Sequence, residues 1–113
     1  MIYNPFEVVV VPFPFTDRPA TKRRPALVVS ASRFNTRHRQ LILAMITTAG
    51  QNGWPSDVPV NDWAEAGLTT ACNIRLKLFT LDRDLIIRSV GHLSENDKTA
   101  ARVVLKKYLS IDG

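Results

Sequence analysis

The chain has 113 residues, 45% hydrophobic and 22% charged, with fifteen Lys/Arg against ten Asp/Glu for a net charge of +5. That length sets one domain over residues 1–113 as the expectation, with room for one modest core, and the composition argues against disorder. The single cysteine, Cys72, cannot form an intramolecular disulfide, no apolar run reaches membrane-spanning length, and the start, MIYNP, lacks a signal-peptide layout, so a reducing, cytoplasmic setting is expected.

In chain order, Glu7 to Phe13 reads EVVVVPF. Four β-branched valines in a row are poor helix formers and predict a buried strand. Pro12, Pro14 and Pro19 are expected to prevent regular pairing, which leaves Pro14 to Arg24 as a surface loop. Pro25 to Ala31 is a second buried strand, with Pro25 at its first position, where a missing N–H costs least. Ser32 to Gln40, SRFNTRHRQ, reads as a polar connection, and Leu41 to Thr48 as a third strand. Ala49 to Pro59 carries two glycines, two prolines and Trp54, the marks of a long loop, and Val58–Val60 fits a brief edge strand. Asn61 or Asp62 can cap one helical turn through Gly67. From Asn73 to Phe79 apolar residues alternate with Arg75 and Lys77, the pattern of a strand with one wet face. Leu85 to Gly91 supplies another strand. Ser94-Glu95-Asn96-Asp97 resembles a capping box opening a helix from about Glu95 to Leu109, with Ala100, Ala101, Val104, Leu105 and Tyr108 at helical spacing. Short strands with Pro/Gly-rich turns and one terminal helix predict a mainly β fold, a small barrel or a strongly bent sheet.

The charge is uneven: Arg18 to Ser56 holds seven Arg/Lys and no Asp or Glu. A basic half suits an anionic partner or a solvated face. One Cys and two well-separated His offer no zinc spacing, no close run of carboxylates suggests magnesium, and no phosphate-binding glycine motif occurs, so neither metal nor nucleotide cofactor is expected. His38 and His92 are one candidate acid/base pair for RNA cleavage. Arg24 is another candidate. The proline after it favours extended backbone, so its guanidinium stands at the mouth of a strand as a planar donor fork suited to phosphate. Were the second and third strands neighbours, Thr47 would lie near Arg24 at one end of the sheet. Phe13, Phe15 and Trp54 are aromatics beside basic residues, a combination that single-stranded RNA binding uses. Each has a plainer reading too: a surface arginine, a strand threonine, an aromatic capping the core.

Taken together, VVVVPFPFTD, KRRPALVVS, LAMITT and LFTLDRDLIIRSVGHLS resemble the PemK/MazF family of toxins of prokaryotic toxin–antitoxin systems, from about Glu7 to the end of the helix. The resemblance implies an SH3-like β-barrel of about five to seven strands with a C-terminal α-helix, usually a homodimer. It implies a metal-independent endoribonuclease that cuts single-stranded RNA (mRNA) by 2′-hydroxyl attack, leaving 2′,3′-cyclic phosphate and 5′-hydroxyl ends and inhibiting translation and growth. Carried onto this sequence, the catalytic arginine and threonine are Arg24 and Thr47. RNA contacts fall on Phe13, Pro14 and Thr16, to which the basic and aromatic pattern adds Lys22, Arg23 and Trp54, with Thr48 beside Thr47 as a further RNA-binding candidate. The implied partner is a cognate antitoxin with an acidic, flexible segment. Many relatives carry Gly-Asp before the first strand, where this chain has Phe6-Glu7. Two rivals share the fold: a CcdB-like gyrase poison, disfavoured by the ending YLSIDG in place of Trp-Gly-Ile, and an RNA-binding module without catalysis.

Overall fold

The computed structural model describes residues 2–13, 22–50 and 52–110. Six strands, β1 (Glu7–Phe13), β2 (Lys22–Val28), β3 (Gln40–Thr48), β4 (Val58–Val60), β5 (Cys72–Asp82) and β6 (Arg88–His92), form one antiparallel sheet in the order β4-β5-β3-β2-β1-β6. Helix α1 (Ser32–His38) joins β2 to β3, and α2 (Glu95–Tyr108) ends the described fold. The sheet is curled into a half-barrel. Irregularities between Val8 and Val9 on the β6 side of β1, and between Ala44 and Met45 opposite β5, lie where such curling is produced.

The valine run of β1 lacks alternation because both faces of the sheet are covered. Val8, Leu27, Ala44, Ile46, Val58, Val60, Ile74, Leu93 and Ala101 of α2 form one buried cluster. Tyr3, Val9, Val11, Ala26, Val28, Leu41, Leu43 and Leu81 form another. Successive residues of β1, β2 and β3 therefore enter different cores, as a two-period strand requires. None of the described helices is long and apolar enough to cross a membrane.

Several expectations need correction. β2 begins at Lys22, three residues before Pro25, so Lys22, Arg23 and Arg24 belong to a strand and not to a loop. Pro12 does not stop pairing: it sits opposite Arg23 in the β1–β2 ladder. The alternation explains why Pro25 is tolerated inside β2. The Val28 carbonyl accepts from Phe6 on the β1 side, and the Val29 N–H donates to Ile42 on the β3 side. By that alternation the Pro25 nitrogen faces β3, whose ladder with β2 stops one residue away, at Ala26 opposite Met45.

The segment Ser32 to Gln40 is not a plain connection, since α1 occupies most of it. Asn35, only 2% exposed, fastens that helix: its amide donates to the Tyr3 and Ser30 carbonyls while its Oδ1 accepts from the Ser30 hydroxyl. Arg83–Leu85 is a 3-10 turn, and β6 starts at Arg88, later than the expected Leu85. The terminal helix matches its predicted span to within a residue at its C-terminal end. Its first turn differs from a capping box. The Ser94 hydroxyl accepts from the Asp97 N–H, but the Asp97 carboxylate reaches away, accepting from the Asn61 and Asp62 N–H groups after β4. The turn that follows, held by Ala66 N–H donating to the Asp62 carbonyl, ends at Gly67 with φ +84°. A Cβ there would stand 2.2 Å from the Val90 carbonyl oxygen, so β6 passes too close for any other residue.

Candidate nucleic-acid interface and catalytic pair

The last β2–β3 pair is Ala26 with Met45. Two residues further along each strand stand Arg24 and Thr47, so period-two geometry puts both side chains on the face shared by Ala26 and Met45. Val11 of β1 is opposite Arg24, and Phe13, two residues on, lies diagonally across, with the Arg24 guanidinium carbon 5.4 Å from its ring centroid. On the other side of β3, Thr47 pairs with Asn73 and Met45 with Arg75 of β5. The same face of four adjacent strands thus carries Phe13, Lys22, Arg24, Thr47, Asn73 and Arg75.

Arg24 and Thr47 share a second property. Both are half-buried, and among the described residues theirs are the two side chains with a buried polar atom lacking a hydrogen-bond partner, Arg24 Nε and Thr47 Oγ1. Buried donors are ordinarily paired, and leaving one unpaired costs about 1–3 kcal/mol. Two such donors on adjacent strands of one face suit an incoming anion with several acceptor oxygens, which a phosphate provides.

Beside them stands an ion pair that the sequence reading passed over. Arg75 meets Asp57 through two parallel hydrogen bonds, Nε to Oδ1 at 3.1 Å and an Nη to Oδ2 at 2.9 Å, and that Nη also donates to the Asn52 carbonyl. The Arg75 hydrogen bonds hold the Asp57 carboxyl below its ordinary value, although burial opposes them. Asp57 Oδ2 also accepts from the Trp54 N–H at 2.9 Å, and the Asp57 N–H donates to the Trp54 carbonyl. Trp54-Pro55-Ser56-Asp57 is therefore a closed turn with proline at its second position. The Trp54 indole is 43% exposed and lies over the Arg75 guanidinium, 5.2 Å from carbon to centroid. One signal pointed here: Asp57 is the first acidic residue after the acid-free stretch from Arg18 to Ser56.

The other predicted residues divide. Lys22 is exposed, opposite Phe13 on the Arg24 face. Arg23 and Thr48 are exposed and belong by alternation to the opposite face, so the structure does not bring them to Arg24. Pro14 and Thr16 lie outside the described residues, as does Phe15. The two histidines are on separate elements: His38 lies tilted against Phe34 within α1, and His92 ends β6 with Nδ1 near the Leu93 carbonyl. Cys72 is buried, and burial pushes its thiol up from the ordinary value, which suits a core residue better than a nucleophile. Among the described residues, no three His, Cys, Asp or Glu side chains converge as a metal site would need.

Similar folds occur among solved structures. The MazE–MazF complex (Form-II) of Deinococcus radiodurans superposes with a TM-score of 0.77 at 18% identity, covering 98% of each chain. An endoribonuclease in complex with its cognate antitoxin, from a mycobacterial species, gives 0.72 at 15% identity over 94% of this chain and 91% of that one. The Mycobacterium tuberculosis toxin MazF-mt6 gives 0.68 at 22% identity over 88% and 92%. No curated protein has a sequence that matches this one. Identities at that level speak for the fold alone; the assignment comes from sequence, where residues 4–109 match the profile of PemK-like, MazF-like toxins of type II toxin–antitoxin systems. The match spans nearly the whole chain and includes Arg24, Thr47 and the strands that carry them: this protein belongs to that toxin family.

Proposed function

We propose that this toxin is a metal-independent endoribonuclease that cleaves single-stranded RNA, mRNA in the cell, and so arrests translation and growth. The observation that carries the reading is the pair of buried, unpartnered polar atoms, Arg24 Nε and Thr47 Oγ1, at the end of the β2–β3 ladder. In the proposed reaction the RNA 2′-oxygen attacks the adjacent phosphorus and loses its proton. The P–O5′ bond breaks and the 5′-oxygen takes up a proton, leaving a 2′,3′-cyclic phosphate and a 5′-hydroxyl. Negative charge gathers on the non-bridging oxygens as the phosphorane forms. The Arg24 guanidinium and the Thr47 hydroxyl donate to those oxygens. Half-burial lowers the local dielectric and strengthens both interactions. Phe13 backs the guanidinium, Lys22 adds phosphate attraction, and Trp54 stacks a base. Partners follow the same logic: a second copy of the chain, and a cognate antitoxin whose acidic, flexible segment covers the basic face, in keeping with the antitoxin complexes among the solved neighbours. The whole chain acts as one domain.

The test is cleavage of mixed single-stranded RNA in EDTA with end-group analysis. Wild type is expected to leave cyclic-phosphate ends. Arg24→Ala is expected to lose on the order of 10²–10³ in rate, the cost of one well-placed donor, and Thr47→Ala a comparable amount. Cleavage that needs added metal, or an unimpaired Arg24→Ala enzyme, overturns the mechanism. Binding without cleavage turns the assignment to an RNA-binding module.

A further inference from the structure

The Arg75–Asp57 pair has no part in the chemistry above, yet it is extensively hydrogen-bonded. Its side chains are only 18% and 7% exposed, and it spans β5 and the loop after β3. It takes both Asp57 oxygens, both Trp54 backbone polar groups and one face of the Trp54 indole. An ion pair this far out of solvent holds only when both charges are fully hydrogen-bonded, and here the bonds also fix the Trp54 turn. The arrangement leaves one large aromatic side chain exposed at the rim of the Arg24–Thr47 face, with its backbone fixed at N–H and carbonyl and one ring face closed by a cation. The ring has a single face left to offer.

We propose that Arg75 and Asp57 are positioning residues for nucleobase binding: together they hold Trp54 as a fixed platform on which one unpaired base of the RNA stacks, completing a layer of guanidinium, indole and base. The proposal rests on reading the Arg24–Thr47 face as an RNA site. A stacking platform accepts any base, because every base has a π face. The platform therefore supplies affinity and registration of the strand relative to Arg24, and hydrogen bonding elsewhere supplies sequence preference. Pre-setting the ring removes the ordering cost that a loose loop tryptophan would carry into the complex. Arg75 pairs with Met45, two residues along β3 from Thr47, so the stacked base belongs to a nucleotide near the scissile phosphate.

The test uses a short single-stranded oligoribonucleotide made uncleavable by 2′-O-methyl groups, titrated at fixed low salt, with Tm recorded for each variant. Trp54→Ala is expected to weaken binding about tenfold or more, and Trp54→Phe to retain most of it. Asp57→Asn is expected to weaken binding severalfold. Added to Trp54→Ala it should cause no further loss, because the aspartate acts only through the ring. With cleavable RNA, Asp57→Asn should raise KM and leave kcat near wild type. Without RNA, Asp57→Asn should make Trp54 fluorescence more accessible to acrylamide. Additive losses in the double variant, equal binding by Trp54→Ala, or a kcat defect with unchanged KM would overturn the platform while leaving the ribonuclease reading in place. Absence of RNA binding by the wild type overturns both.

Discussion

Phe6 precedes β1 with φ +68°, a left-handed conformation that an aromatic residue adopts at a cost of about 1–2 kcal/mol. Backbone bonds on both sides hold it there, its N–H to the Val28 carbonyl and its carbonyl to the Leu93 N–H. The ring offsets the strain by packing on the buried cluster that includes Val8 and Leu27 and under the Arg102 guanidinium at 5.0 Å. Both Phe6→Gly and Phe6→Ala are expected to destabilise, but with glycine the more stable by about 1 kcal/mol in urea melts, the reverse of the usual strand order. Asp57 carries a pH prediction. Its folded-state pKa is depressed by the Arg75 hydrogen bonds, so the pair stabilises fully above the unfolded-state value of about 4 and the contribution is lost as pH falls through the lower folded value. Asp57→Asn is expected to cost about 1–2 kcal/mol at pH 7. The Tm gap to wild type should stay constant from pH 7 down to about 4 and begin to narrow as melts move below it. The placing of Arg24 and Thr47 at one end of the sheet was legible in the sequence, because Pro25 marks Arg24 at the mouth of one strand and Thr47 closes the apolar run of the next. Arg75 and Asp57 were not, because their pairing is tertiary: alternation marks Arg75 only as outward-facing, and nothing local says that a loop carboxylate will fold back onto it.

The strands whose apolar runs are long and β-branched appear close to where the sequence puts them, and so does α2 with its helical period and Ser94 cap. The errors fall where local signals were weak or misleading. Pro25 looked like a strand start, yet its missing N–H faces the place where β3 has already parted from β2, while β1 pairs with Lys22 through Arg24 regardless. Helix α1 had no apolar stripe to betray it. It lacks an acidic first turn and a side-chain cap, and its buried residue is an asparagine satisfied by the chain's own N-terminal segment. Its existence is a tertiary fact. The start of α2 shows the converse, a strong local signal put to a longer-range use. Asp97, 1% exposed, leaves the capping box and binds the backbone after β4, so one carboxylate sets the position of the helix against the edge of the sheet. Asp97→Ala is expected to cost about 2–3 kcal/mol through the two N–H groups it strands. Ser94→Ala should cost about 1 kcal/mol, the ordinary loss of a cap. Urea midpoints for the two variants would check the order; because the Ser94 hydroxyl also donates to Asp62 Oδ2 at 2.6 Å, a larger loss from Ser94→Ala would overturn the primacy of the Asp97 carboxylate at this junction.

A half-barrel with both faces buried has little polar surface to spare inside. Among the described residues, the two side chains with a buried polar atom left unsatisfied, Arg24 and Thr47, are where the fold departs from its own rules, and such departures are expected at sites of function. If the Thr47 hydroxyl is there for substrate, stability and activity must pull against each other at this position. Valine has nearly the shape of threonine and is at home in a strand. Thr47→Val removes a buried hydroxyl that has no described partner, so the variant should be more stable than wild type, by up to about 1 kcal/mol or roughly 4 °C in Tm. RNA cleavage should fall by the 10²–10³ expected of a lost transition-state donor. A core truncation calibrates the scale: Ile46→Ala, one residue before and 1% exposed, should lower stability by about 2–5 kcal/mol. A Thr47→Val protein that melts lower than wild type would mean that the hydroxyl serves the fold, and the catalytic assignment of Thr47 would lose its physical basis. One that melts higher and still cleaves at the wild-type rate would leave Arg24 as the phosphate-binding donor of the pair.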